Sequence, residues 1–315
     1  MKKKFCIYLD QFAVSEMLQI DITPEWSRIK ELLLQLHSKG IIFCPLSNEH
    51  YIETSWKEYK EAKNHDLFLN KISDEFCFKT EAFLTSQLIS SRIRKNKITV
   101  KTYLHTEVKE ILKDSDNYKF YREKNTELFK TIKEIGHDTN EFKKLTSNQK
   151  IDSKTQKIMF NALMHLEAQK FIQRLEKLYD KGKLMIESYK STTSEFPKWT
   201  DLVLDILIKK HKFRKKEIQK LIFELKSNGF KNISTLNIRF SLISLMNLRS
   251  KKDSSNDQID IARISTSLDF SDIMLTDKKR KHEIHELELD KLYNTKVFSG
   301  IKSDLDNLIL VLEKL

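Results

Sequence analysis

The chemistry this sequence could carry out lies in its carboxylates. Asp10 closes the apolar run Phe5-Cys6-Ile7-Tyr8-Leu9. Glu49 and Glu53 stand four residues apart, which puts both on one face of a helix. Asp257 and Asp260, three apart, share a face at the start of a late helix, and Asp277 closes Ile273-Met274-Leu275-Thr276. Carboxylates gathered within a few ångströms repel one another and cannot all stay ionised without a counter-charge. Hard divalent cations, Mg²⁺ or Mn²⁺, supply that charge through oxygen ligands. Ions held in this way activate water for attack on a phosphodiester and stabilise charge on the leaving oxygen. Such chemistry needs no Ser, Cys or His nucleophile, and the chain has no recognisable nucleophile motif.

Each acid also has a plainer reading. Asp10 can cap the helix that follows it. Glu49 and Glu53 can line a solvated face. Asp257 and Asp260 can serve the dipole of a first helical turn, and Asp277, ahead of Lys278 to Lys281, can belong to a surface turn. Their joint recurrence at strand ends is what favours the chemical reading, because open parallel sheets place sites just past the carboxyl ends of their strands.

The elements that must position these groups are legible at both ends of the chain. Phe5–Leu9 is of strand type. Thr23-Pro24 predicts a helix start, with Ile29, Leu32, Leu33 and Leu36 on one stripe and Gly40 as the stop. Ile41-Ile42-Phe43-Cys44 is a second strand, and Ser47 or Asn48 caps a helix through Glu49, Ile52, Glu53 and Trp56. Strand, helix, strand, helix predicts a parallel sheet covered by helices. At the far end, 257–267 reads as a helix, 272–277 and 296–299 as strands, and 303–315 as a closing helix. One sheet completed by both termini accounts for this better than two very small domains.

From about Lys60 to Leu248 the periodicity is helical, most clearly over 155–179. Lys209, Lys210, Lys212, Arg214, Lys215 and Lys216 form a basic run around Phe213. It suits a phosphate backbone with an aromatic ring to stack on a base, or equally a solvated helix face with Phe213 turned inward. The formal net charge of +12 is compatible with RNA or single-stranded DNA as partner. Cys6, Cys44 and Cys77 have no metal-ligand spacing and fit a reducing compartment. No apolar run is long enough for a membrane span, and Phe5–Leu9 is too short for a secretory segment, so a cytoplasmic protein is expected.

In order and spacing, the Asp10, Glu53, Asp260 and Asp277 segments resemble the PIN-like nuclease superfamily. Tyr8-Leu9-Asp10-Gln11 looks like its first strand and first aspartate. Pro45-Leu46-Ser47 through Glu53 looks like a turn whose Ser is followed six positions later by an acid, which favours Glu53 over Glu49. Asp260-Ile261-Ala262 with Leu275-Thr276-Asp277 resembles the pairing of a helix-borne aspartate with a strand ending in Thr and an acid, which favours Asp260 over Asp257. The resemblance implies an α/β PIN-like domain of residues 1–60 plus 250–315, with a helical insertion over 61–249. It implies a Mg- or Mn-dependent endoribonuclease, a toxin or defence effector with an antitoxin or defence-system partner protein. Asp10, Glu53, Asp260 and Asp277 are its expected catalytic ligands, and Glu49, Asp257, Ser47, Thr276 and Gln11 are auxiliaries. The rival expectation is a PIN-fold scaffold that binds RNA or protein without turnover. Arg280 and His285 have the Arg-x4-His spacing of a different, helical ribonuclease class, but they follow a strand in a Lys- and His-rich stretch and carry no weight.

Overall fold

The computed structural model describes residues 4–54, 57–106, 152–190, 195–249 and 255–315. Parts of the expected insertion, 107–151 and 191–194, lie outside the described residues, as does its expected boundary near 250. In chain order the described elements begin with β1 (Phe5–Leu9), α1 (Gln11–Leu18), α2 (Pro24–Ser38), β2 (Ile42–Phe43), α3 (Asn48–Thr54), α4 (Tyr59–Ile72) and β3 (Phe76–Phe78). They continue through α5 (Glu81–Arg94), α6 (Val100–Tyr103), β4 (Leu104–Thr106), α7 (Ser153–Lys181), β5 (Ser188–Lys190), β6 (Glu195–Pro197), α8 (Trp199–Lys209), α9 (Lys215–Asn228) and α10 (Ser234–Leu248). The last are α11 (Ser255–Ser267), β7 (Ile273–Leu275), α12 (Lys278–Glu286), α13 (Leu289–Tyr293), β8 (Lys296–Phe298) and α14 (Lys302–Leu312). Two compact units divide them: one holds the described residues of 1–79, 103–126 and 266–315, the other those of 80–102 and 127–265.

The first unit is built on a four-stranded parallel sheet in the order β2-β1-β7-β8, so the protein is α/β. Phe5 and Cys6 pair with Ile42 and Phe43, and Ile7, Tyr8 and Leu9 pair with Ile273, Met274 and Leu275. The two ends of the chain thus share the central strand pair, as expected. Both faces of β1 are covered, which is why its apolar run is continuous rather than alternating. Ile7 and Leu9 join Val14, Met17, Ile29, Leu33, Leu305 and Leu308 in the core under α1, α2 and α14. On the other face Tyr8 meets Phe78, and Phe270 lies between Phe78 and Tyr103. Thr23 is the N-cap and Pro24 the first residue of α2, although the Thr23 hydroxyl makes no capping bond. Gly40 follows that helix at φ +67°, a conformation that glycine adopts without a Cβ penalty.

The antiparallel pair β3 and β4 has no counterpart in the helical reading of the middle segment. It is anchored beside the β2 turn: Leu46 N donates to Phe76 O and Phe78 N to Leu46 O. Among its described residues the second unit is helical apart from β5 and β6. Within it α5 packs on α8, and α7 packs on α9 and α10. Its interior holds a charged network in which Glu81 accepts from Arg239 and Ser265, and Arg239 also donates to Gln258 at 3.2 Å and lies over the Trp199 ring. No helix among the described residues is long and apolar enough to cross a membrane.

Asp66 lies on the buried face of α4, and burial pushes its carboxyl from an ordinary value of 3.8 up to about 7. The folded state therefore binds this proton more tightly than the unfolded chain. Its contribution to stability is complete below pH 3.8 and falls as pH rises through about 7. Asp66→Asn removes the titration, so the variant gains on the wild type between pH 4.5 and 7.5, up to a ceiling of about 4 kcal/mol. Urea unfolding at both pH values checks this, and a pH-independent difference contradicts it.

Candidate metal centre

Asp10 is placed by strand pairing. Leu9 pairs with Leu275, and Asp10 N donates to Leu275 O at 2.9 Å. Asp10 and Thr276 therefore leave adjacent parallel strands side by side, and Thr276 Oγ1 donates to Asp10 Oδ2 at 3.2 Å. Both residues are buried. Asp10 occupies the N-cap position of α1, yet its side chain makes no capping bond, so the plainer reading does not describe what this carboxylate does. A carboxylate taken out of water is costly unless it is charge-compensated and hydrogen-bonded.

Asp277 follows β7 and has a local task. Its Oδ1 accepts from Lys279 N at 2.8 Å and Arg280 N at 3.0 Å, which caps α12. The earlier alternative of a simple surface turn is thereby corrected to a helix cap. A cap on one oxygen leaves a carboxylate a second oxygen to offer. Asp260 lies on α11 and pairs with the buried Arg263 one turn later. α11 runs as a single helix to Ser267, after which Leu268 O accepts from Thr295 Oγ1 at 2.6 Å and Asp272 N donates to Cys6 O at 2.9 Å. Carboxylate oxygens of Asp10, Asp260 and Asp277 lie within 4.8 Å of one another. All three donors are hard oxygens, the set that suits Mg²⁺ or Mn²⁺. The buried Gln11 Oε1, one residue from Asp10, has no hydrogen-bond partner among the described residues and is a further oxygen acceptor.

Glu53, Glu49 and Asp257 are not part of that group. Glu49 and Glu53 are half-buried on α3, and Asp257 is buried in the first turn of α11. Ser47 is enclosed: its hydroxyl meets Tyr8 Oη at 3.3 Å and His50 Nδ1 at 3.3 Å, so it serves the turn into α3. Gln11 Nε2 donates to Thr54 Oγ1 at 3.1 Å. Asp272 bonds the Cys6 backbone at the opposite end of β7. Arg280 is fully buried and paired with Glu283, and His285 with Asp290, so the Arg-x4-His spacing forms no site. Sequence reasoning passed over Arg263, although its spacing from Asp260 is that of a helical ion pair, and over His50, which carried no local signal.

The basic run joins α8 to α9. Lys210, Lys212, Arg214, Lys215 and Lys216 are exposed, while Lys209 pairs with Asp205 at 2.9 Å. Phe213 is buried beneath Arg94, whose Nη2 donates to His211 O at 2.7 Å. Of the two alternatives, then, Phe213 turns inward, and this face offers charge without that ring. Compared with known proteins, the chain matches no family model, no curated protein and no solved structure.

The cap role of Asp277 and its candidate ligand role separate by substitution. Asp277→Asn keeps a good N-cap and stays within about 0.5 kcal/mol of wild-type stability, while Asp277→Ala loses about 1 kcal/mol. Both weaken Mn²⁺ binding. Chemical denaturation alongside calorimetric Mn²⁺ titration reads the two effects apart, and full Mn²⁺ affinity in the Asn variant removes Asp277 from the ligand set.

Proposed function

We propose that the protein is a Mg²⁺- or Mn²⁺-dependent endoribonuclease with a PIN-like fold. The observation that supports this reading most is the three-carboxylate group, two of whose members follow neighbouring strands of a parallel sheet. Asp10, Asp260 and Asp277 hold one or two ions; Glu53 stands outside that group, and only the PIN-like pattern marks it as a fourth ligand. When bound, the cation supplies Lewis-acid activation of water and charge stabilisation at the phosphodiester. Thr276 fixes the rotamer of Asp10 through Oδ2. Arg263 pairs with Asp260 and holds its carboxylate in place. The exposed lysines of 209–216 hold the RNA backbone by charge, with no reading of sequence.

Asp10→Asn lowers cleavage of single-stranded RNA oligonucleotides at least about 100-fold, beyond the 10- to 100-fold that loss of an outer-shell partner costs. Its circular dichroism stays that of the wild type, and EDTA abolishes wild-type cleavage until Mn²⁺ is restored. Chelator-resistant cleavage by the Asn variant ends this reading. A single-stranded DNA arm in the same assay separates RNA from DNA as substrate.

Lys212→Ala combined with Lys216→Ala weakens RNA binding in EDTA for every oligonucleotide sequence alike. The slope of log affinity against log salt becomes shallower by about 1.4, from about 0.7 per lost phosphate contact on a single strand. An unchanged slope by fluorescence anisotropy places the RNA elsewhere.

A further inference from the structure

His50 is a buried imidazole whose proton can be assigned. Ser47 N lies 2.9 Å from Nδ1, and a peptide N–H can only donate, so Nδ1 carries the lone pair and Nε2 the proton. Nε2 then donates to Leu9 O at 2.7 Å. The ring is 1% exposed and stacks on Tyr8 with centroids 5.5 Å apart. Thr54 Oγ1 donates to His50 O at 2.6 Å and accepts from Gln11 Nε2, which ties α3 to the start of α1.

Leu9 O needs this donor because the neighbouring strand has ended. β2 pairs with β1 only as far as Cys6↔Phe43, so Leu9 meets no ladder partner on that side. A buried carbonyl there must be satisfied by another group. The other half of the same peptide unit, Asp10 N–H, donates to Leu275 O. The Leu9–Asp10 peptide plane is thus clamped on one side by a side chain and on the other by a strand, and the Asp10 carboxylate departs from it.

We propose that His50 is a positioning residue for Asp10: through Leu9 O it fixes the peptide plane that aims this carboxylate at the cation. The proposal rests on Asp10, Asp260 and Asp277 being metal ligands. The role assigned to His50 acts through its hydrogen bond to Leu9 O. Two substitutions separate the bond donated by Ser47 N from the bond to Leu9 O. His50→Gln places an amide N–H where Nε2–H stood and can keep the Leu9 bond. His50→Asn places an acceptor where Nδ1 stood and can keep the Ser47 bond, but it is too short to reach Leu9 O. Both lose the stacking on Tyr8, so a merely structural role lowers both alike.

The test is calorimetric titration with Mn²⁺ alone, beside thermal unfolding of each protein. His50→Asn is expected to bind Mn²⁺ about 10- to 100-fold more weakly than the wild type, and His50→Gln within about threefold, at similar melting temperatures. Equal Mn²⁺ affinity in both variants overturns the positioning role, whether both match the wild type or both fall with stability. A wild type that binds no Mn²⁺ overturns the metal reading itself, so the two failures are told apart. Should the Asn variant not fold, ¹⁵N spectra of wild-type His50 take its place. Nε2 is expected to be the protonated nitrogen and to shift on Mg²⁺ saturation, and an unmoved resonance overturns the proposal.

Discussion

Five residues near the start of the chain and three near its end meet as adjacent parallel strands, and the rest of the first unit follows from that pairing. Parallel strands need a crossover, and the crossover here is nearly the whole remaining sequence. What the pairing achieves is local. It sets Leu9 against Leu275, so that the next residues, Asp10 and Thr276, leave the sheet at the same level. A register slip of one residue would turn Asp10 to the other face and put Leu9 in its place. The apolar contacts of Ile7 and Leu9 under α1, α2 and α14 therefore determine where a carboxylate stands, although none of them touches it.

How much of this was legible in the sequence depends on the range of each signal. The four sheet strands are short apolar runs bounded by turns, and Pro24 and Gly40 punctuate α2 in their usual places, so those elements could be read locally. The strand Phe76-Cys77-Phe78 could not, since its neighbours have helical periodicity and its partner Leu104–Thr106 offers no alternation over three residues. Order and spacing select Asp10, Glu53, Asp260 and Asp277; three of these are found together, and Glu53 is not among them. His50 was invisible because its meaning lies in a carbonyl 41 positions earlier. The capping role of Asp277 was visible in principle, as an Asp ahead of a helical segment.

Some of the buried charge is handled by short-range pairing along helices, whereas Glu81 and Arg239 meet from distant parts of the chain. Arg263 reaches back to Asp260, and Arg280 forward to Glu283, in each case across three residues. Such pairs come with the helix itself and cost little ordering entropy beyond it, whereas their desolvation cost is large. Removing one partner is consequently far worse than never having built the pair. This makes Arg263 part of the site's electrostatics, since it compensates one carboxylate of the group while Asp10 has a hydroxyl donor in Thr276.

That arrangement determines how a cation would be received. A group of three ionised acids with no compensation would hold protons near neutral pH, and a metal would have to displace them. Arg263 pairs with Asp260, and two backbone N–H groups donate to Asp277, so two of the three acids already have partners of their own. Asp10 is the most buried member of the three, and its backbone and side chain are held by a clamped peptide plane and by Thr276. A rigid buried carboxylate gains more from a cation than a mobile exposed one, because it loses no freedom and recovers its desolvation cost. If the group holds a divalent ion as proposed, Asp10 is the carboxylate with most to gain from it, because Asp260 and Asp277 already have cationic or N–H partners of their own.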